Sequence, residues 1–255
     1  MGKFSGILIA SDLDGTLVSD GKISKENSEA IRFFQKEGGL FTVATGRYLS
    51  HITENFSHDI TPNTHVLTLN GNVVCNPENN TETILSQMDK NLAKTILNYS
   101  YEKFEENIQF VNICNYDESY KYEGSLTDKP CKCVFVMNTE ESAILLRDTL
   151  KENYSHVISA ERSWSVGVEI YSINGGKGNA IDYIRKNVHP EIQKVICVGD
   201  YENDISMLKY ADVGVAVANG TDDAKNSADI VCPVSCHEHA LSWIINNIYK
   251  EGLIK

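Results

Sequence analysis

The chain has 255 residues, 42% of them apolar and 23% charged, enough for a packed core and for one or two domains. Its 23 Lys+Arg against 35 Asp+Glu leave a net charge of −12, which disfavours a nucleic-acid partner because phosphate backbones are repelled. A small anionic substrate stays open, since a few local cations and a metal reverse the sign inside a cleft. No apolar run approaches the roughly 18 residues of a membrane helix, and Met1-Gly2-Lys3-Phe4 does not begin a signal peptide. The seven cysteines are odd in number and scattered, which reads as reduced thiols. The expectation is a cytoplasmic protein with no membrane partner.

Ile7-Leu8-Ile9-Ala10 is the short continuous apolar run of a strand buried on both faces. Ser24 then reads as a helix N-cap, with Ala30, Ile31 and Phe34 as the apolar stripe and Gly38-Gly39 as the stop. Leu40 to Ala44 is a second strand and Val66 to Leu69 a third, a strand–helix–strand order that implies a parallel sheet. Asn76 to Asn80 is a turn-rich interruption. Beyond it come a helix near Leu92 to Phe104, strands near Ile108 to Cys114 and Val134 to Met137, a helix over Glu140 to Glu152, and a strand at Val166 to Ile170. After the turn at Ser172 to Gly176 the first texture returns. A helix over Gly178 to Asn187, a strand at Val195 to Val198, a helix over Asn203 to Ala211, a strand at Val213 to Val217 and an edge strand at Ile230-Val231 are predicted. The last helix carries Leu241, Ile244, Ile245 and Ile248 on one face. The simplest organisation is an α/β, doubly wound, mostly parallel core made from residues 1–84 and 174–255, with a smaller α/β domain, residues 85–173, inserted.

Four polar clusters follow core strands or open core helices. Asp12-Leu13-Asp14-Gly15-Thr16 follows the first strand and Thr45-Gly46-Arg47 the second; Lys177 opens a helix; Gly199-Asp200-Tyr201-Glu202-Asn203-Asp204 ends the strand at Val198. Ligands of open parallel sheets bind beyond the carboxyl ends of the strands, so these clusters are expected to meet. Asp12, Asp14, Asp200 and Asp204 would then gather four carboxylates, which need a cation, and an oxygen-only donor set favours Mg²⁺. Carboxylates, metal, lysine and a threonine hydroxyl together suit a phosphoryl group, with carboxylate attack giving an aspartyl-phosphate and the aspartate two residues on moving protons. Gly175-Gly176-Lys177-Gly178 fails as a Walker loop because glycine follows the lysine.

These residues resemble the haloacid dehalogenase-like superfamily, and within it the Cof-type phosphatases with a large α/β cap. Asp12-Leu13-Asp14-Gly15-Thr16-Leu17 is similar to the first motif, which implies Asp12 as nucleophile and Asp14 as general acid/base. The resemblance further implies Thr45 on the phosphoryl oxygens, with Gly46 and Arg47 beside the substrate, and Lys177 as the third-motif lysine. It implies Mg²⁺ on Asp12, Asp200 and the Asp14 carbonyl, with Asp204 behind them, and Asn203 and Asn70 as phosphate or substrate contacts. Val217-Ala218-Asn219-Gly220 departs from the Met-Gly-Asn-Ala that members commonly carry, and Cys236-His237-Glu238-His239 stands where an Asp-Gly turn is usual.

The expected activity is Mg²⁺-dependent hydrolysis of a small phosphorylated metabolite. The alternatives are a phosphomutase of the same fold and a non-catalytic phosphometabolite sensor. Tyr116, Tyr120, Tyr122 and Trp164 are the candidate contacts of the inserted domain, and Arg162 and Lys121 the candidate charges for a second anionic group. Cys131 and Cys133, one residue apart, read as strand residues rather than a redox pair.

Overall fold

The computed structural model describes residues 2–52, 60–126 and 128–248. Strand β1 (Ile7–Ser11) is buried at every position, as a strand covered on both faces must be. Two short antiparallel strands, β2 (Val18–Ser19) and β3 (Lys22–Ile23), lead into helix α1 (Lys25–Lys36). The Ser24 hydroxyl caps α1 by accepting from the Asn27 amide at 3.2 Å. Strand β4 (Leu40–Val43) follows, then an antiparallel sheet of β5 (Val66–Thr68), β6 (Val73–Asn76) and β7 (Thr81–Ile84).

The next stretch builds a separate layer from α2 (Lys90–Phe104), β8 (Ile108–Cys114), β9 (Ser119–Lys121), β10 (Lys132–Met137), α3 (Glu140–Tyr154), β11 (Ile158–Trp164) and β12 (Gly167–Ser172). Its five strands pair antiparallel in the order β11-β12-β10-β8-β9. Strand alternation divides the two faces. Cys133, Phe135, Val168 and Ile170 pack with Ile96, Leu97, Leu146 and Leu150 of the two helices. Lys132, Val134 and Glu169 belong to the opposite face and line a cavity toward the chain's other sheet.

The chain then returns through α4 (Lys177–Tyr183), β13 (Lys194–Gly199), α5 (Ile205–Tyr210), β14 (Val213–Ala216), α6 (Asp222–Ser227), β15 (Ile230–Val231) and α7 (Ala240–Asn247). Parallel strands in the order β15-β14-β13-β1-β4 make the central sheet, so β1 from the start of the chain lies beside β13 from its last third. Ile7 and Ile9 cluster with Ile31 and Phe34 of α1 and with Leu241 and Ile244 of α7. Leu8 and Ala10 cluster with Ala180 and Ile181 of α4 and with Met207 and Leu208 of α5. Helices thus cover both faces, and the core is the doubly wound α/β sheet expected.

Three local expectations change. Val66–Thr68 joins the parallel sheet only through an isolated bridge between Ala44 and Leu67, its ladder going to β6 instead. The helix expected over Gly178 to Asn187 is α-helical to Tyr183 and widens to a π turn over Ile184–Val188. The one expected from Asn203 opens as a 3₁₀ turn, Glu202–Asp204, before α5. Among the described residues, no helix is long and apolar enough to cross a membrane.

Candidate active site

Asp12 and Asp200 directly follow the parallel strands β1 and β13, Thr45 lies two residues beyond the end of β4, and Lys177 is the first residue of α4. The ammonium of Lys177, wholly buried, donates to Asp12 Oδ1 at 2.5 Å and to Asp204 Oδ1 at 2.6 Å, across 165 and 27 residues of sequence. The second oxygen of Asp204 accepts from the backbone amides of Asp200 (2.9 Å) and Tyr201 (3.1 Å), which locks the turn after β13. Thr16 donates to Asp200 Oδ1 at 2.7 Å, tying the turn after β1 to that after β13. Gly15 makes the approach feasible. Its φ is +82°, and a Cβ there would lie 2.6 Å from Asp200 Oδ2.

Asp12, Asp200 and Asp204 each offer an oxygen within 4.8 Å of the others. Lys177 touches two of the three, so full ionisation of the group would leave an excess of two negative charges in a largely buried place. Burial pushes the Asp12 carboxyl up and Lys177 pulls it down, but Asp204 and Asp200 push it up again, leaving it well above the usual range. Asp200 is pushed up to about 7, by burial first and Asp204 second. Burial works against the Lys177 charge, but Asp12 and Asp204 outweigh it and hold the ammonium above the ordinary lysine range. Hard oxygen donors carrying excess negative charge fit a divalent cation such as Mg²⁺.

Asp14 points elsewhere. Both its oxygens accept from Arg47, from Nε at 2.8 Å and Nη2 at 2.6 Å, in a half-exposed pair. The Thr45 hydroxyl accepts from the Arg47 amide at 3.2 Å. Leu69, Asn70 and Gly71 take consecutive left-handed conformations, with φ of 49°, 57° and 79°. The Asn70 amide donates to the Thr45 carbonyl at 2.8 Å, and the Asn70 side chain accepts from Asn203 at 3.3 Å while donating to Glu169 at 2.6 Å. Lys132 donates to Glu169 at 2.6 Å and to the Gly46 carbonyl at 2.9 Å. The cavity beside these groups has a volume of about 430 Å³.

A sequence profile of the haloacid dehalogenase-like hydrolases matches residues 9–126 and 112–245. The chain belongs to this family. It is a hydrolase of the phosphatase type, and over most of its length it is similar to phosphatases of Bacillus subtilis. Phosphatase YwpJ is 28% identical, covering 94% of this chain and 99% of the relative. The 5-amino-6-(5-phospho-D-ribitylamino)uracil phosphatase YcsE is 27% identical, covering 88% of each. The fold is shared with a haloacid dehalogenase-like hydrolase from B. subtilis (TM-score 0.82, 22% identity, 94% of this chain and 99% of that one). It is shared too with the haloacid dehalogenase subclass IIB sugar phosphatase BT4131 (TM-score 0.77, 19% identity, 97% and 99%).

Within this family member the inserted residues sort differently from expectation. Trp164 lines the cavity, over Gly167. Tyr122 is instead buried in the helix-packed face of the second sheet, with Tyr120 packed against it, and Tyr116 is exposed away from the cavity lining. Arg162 is committed to Glu202 and Glu140, and Lys121 sits over the Phe110 ring, so neither presents a charge to the cavity. Cys236 to His239 forms no metal cluster among the described residues; the Cys236 amide donates to Asn219 Oδ1 at 2.8 Å, and Asn219 Nδ2 donates to the Gly15 carbonyl at 2.8 Å. Asn219 therefore buttresses the turn after β1. Sequence reasoning missed Thr16, Lys132, Glu169 and Glu202. Thr16 lay inside a quoted motif. A single charge in an otherwise uncharged strand, Lys132 in β10 and Glu169 in β12, was the available signal.

Proposed function

We propose that the chain is a Mg²⁺-dependent phosphomonoesterase that works through an aspartyl-phosphate, an acyl phosphate formed on Asp12. The observation that carries the reading is the junction of Asp12, Lys177, Asp204 and Asp200, side chains from three separate stretches of the sequence that meet beyond the carboxyl ends of the parallel strands. Asp12 and Asp200, with the Asp14 carbonyl, would hold the ion, and Asp204, whose oxygens are spent on Lys177 and two amides, would stand behind them. Bound there, Mg²⁺ would supply charge neutralisation for an anionic nucleophile facing an anionic phosphate.

In this reading Asp12 attacks phosphorus as the bond to the leaving oxygen breaks, and Asp14 gives that oxygen a proton. Asp14 then takes a proton from the water that releases phosphate from Asp12. Lys177, Thr45 and Asn203 bind phosphoryl oxygens, while Gly46, Arg47 and Asn70 shape the substrate side. The Arg47–Asp14 pair has to open for Asp14 to reach the leaving group, and both partners are exposed enough to do so.

Residues 1–84 and 174–255 form the catalytic core of this proposal and residues 85–173 a cap. The substrate is a small phosphorylated metabolite held in the cavity between them, and the free, buried state of all seven cysteines supports a reducing, cytoplasmic setting. The test is phosphate release from a broad panel of monoesters. Turnover that requires Mg²⁺, stops with EDTA and is lost in Asp12→Asn is expected; turnover surviving Asp12→Asn removes the covalent step, and inertness of the wild type toward the whole panel removes the reading.

A further inference from the structure

A second ionic junction joins the two sheets away from the cavity. Glu202, 2% exposed, lies in the turn after β13 between Asp200 and Asn203. Its Oε1 accepts from Arg147 of α3 and, at 2.8 Å, from Arg162 Nε of β11; its Oε2 accepts from the Arg162 amide at 3.2 Å. Both arginines are braced from behind, Arg162 by Glu140 at 2.9 Å and by the Ser165 carbonyl at 3.4 Å, Arg147 by Asp148 at 2.8 Å. The Arg162 guanidinium also sits 5.6 Å from the centre of the Tyr201 ring. None of Glu202, Arg147, Arg162 or Glu140 lines the cavity.

This junction is an unusual use of charge. A buried carboxylate is costly to desolvate, and these contacts are its compensation. The residues around Glu202 have their own tasks. The Asp200 and Tyr201 amides hold Asp204, Asp204 holds Lys177, and Asn203 reaches Asn70. A turn this short has few independent backbone torsions, so displacing Glu202 displaces its neighbours. We infer that Glu202 is a positioning residue. The two arginines of the inserted layer clamp it and thereby fix the Asp200–Asp204 turn in the geometry that receives a divalent cation. The inserted layer then sets the quality of the ion site without touching it.

The inference rests on the proposed function for the ion and is tested without turnover. Purified full-length protein is titrated with MgCl₂ alone, and half-saturation is read by calorimetry. Arg147→Met is expected to raise the half-saturating concentration roughly 3- to 30-fold, the range seen for residues that modulate a site they do not contact. Arg147→Lys is expected to recover part of it. Glu202→Gln should show a similar shift, and the double variant Arg147→Met/Glu202→Gln should add little beyond Glu202→Gln, because both act through one junction. A merely structural role lowers the melting temperature and leaves the Mg²⁺ midpoint in place, which overturns the inference, as do additive shifts. Absence of Mg²⁺ binding in the wild type overturns the ion reading itself, a result distinct from a wild-type response that Arg147→Met fails to move.

Discussion

Replacing Lys177 by methionine removes one charge from the most crowded part of the molecule while keeping side-chain length. The ammonium is fully buried and contacts Asp12 and Asp204 at 2.5 and 2.6 Å. Without it three carboxylates share a pocket with no cation in contact, and removing one partner of a buried pair typically costs about 3–5 kcal/mol. Part of that is recovered by protonation, since burial and the neighbouring carboxylates push Asp200 up to about 7 and hold Asp12 well above the usual carboxylate range, so the lower half of the range applies near neutral pH. At roughly 2–4 °C per kcal/mol for a chain of this size, the metal-free variant should melt on the order of 10 °C below the wild type. Added Mg²⁺ should narrow the gap, since two positive charges replace one. The assay is thermal unfolding by circular dichroism at neutral pH in EDTA and in millimolar MgCl₂. A variant as stable as the wild type in EDTA would refute the view that Lys177 offsets the carboxylates, and melting temperatures that Mg²⁺ moves in neither protein would refute the site's affinity for the ion.

Gly15→Ala puts a Cβ 2.6 Å from Asp200 Oδ2 at a φ of +82°, so it should cost more than the backbone's about 1–2 kcal/mol in chemical denaturation and weaken Mg²⁺ binding, whereas Gly21→Ala, with no atom within 4 Å, should show only that backbone cost. Burial raises Glu161 to about 7 against the lowering hydrogen bond from Tyr171. The folded state therefore holds its proton to higher pH than the unfolded chain, and its contribution to stability, complete below pH 4.5, is lost as pH rises through 7, with a slope of at most about 1.4 kcal/mol per pH unit. Urea midpoints across that window should lose this component in Glu161→Gln. The seven free cysteines are all buried, and burial pushes Cys75 to about 11 and Cys131 to about 12, so a thiol reagent at pH 8 should label the native protein, apart from Cys114 at the cavity wall, only at the rate of its unfolding.

Much of the core was legible because its strands must be apolar on both sides. Ile7 to Ala10 and Val195 to Val198 have no other reading, and Ser24 marks the start of α1 by its hydroxyl. Strands with one wet side or none buried gave weaker signals. Thr81–Ile84 is exposed along its whole length and is held only by pairing with β6, so no period betrays it. Val66–Thr68 looked like another parallel strand because hydropathy does not encode which neighbour takes the hydrogen bonds. The motif clusters announced themselves by following strands. Their partners from the inserted layer did not, because Lys132 meets Glu169 over 37 residues of sequence and Arg162 meets Glu202 over 40.

Those two pairings differ in how they stand to the cavity. Lys132 and Glu169 face the cavity, bonded to Gly46 and Asn70, so in the proposed function the loops on the substrate side are held by groups that a leaving group would also meet. Glu202, Arg147 and Arg162 lie outside it and grip only the turn that carries Asp200 and Asn203. A change in the first pair should therefore alter which leaving groups are accepted, because an unpaired buried charge would confront them directly. A change in the second should leave that ranking intact and depress phosphate release for all substrates alike. Ratios of kcat/KM between a bulky and a small monoester, measured for Glu169→Gln and for Arg147→Met, separate the two. The ratio should move in the first variant and stay within about twofold of wild type in the second, and the reverse pattern would show that the division of labour between these junctions has been assigned backwards.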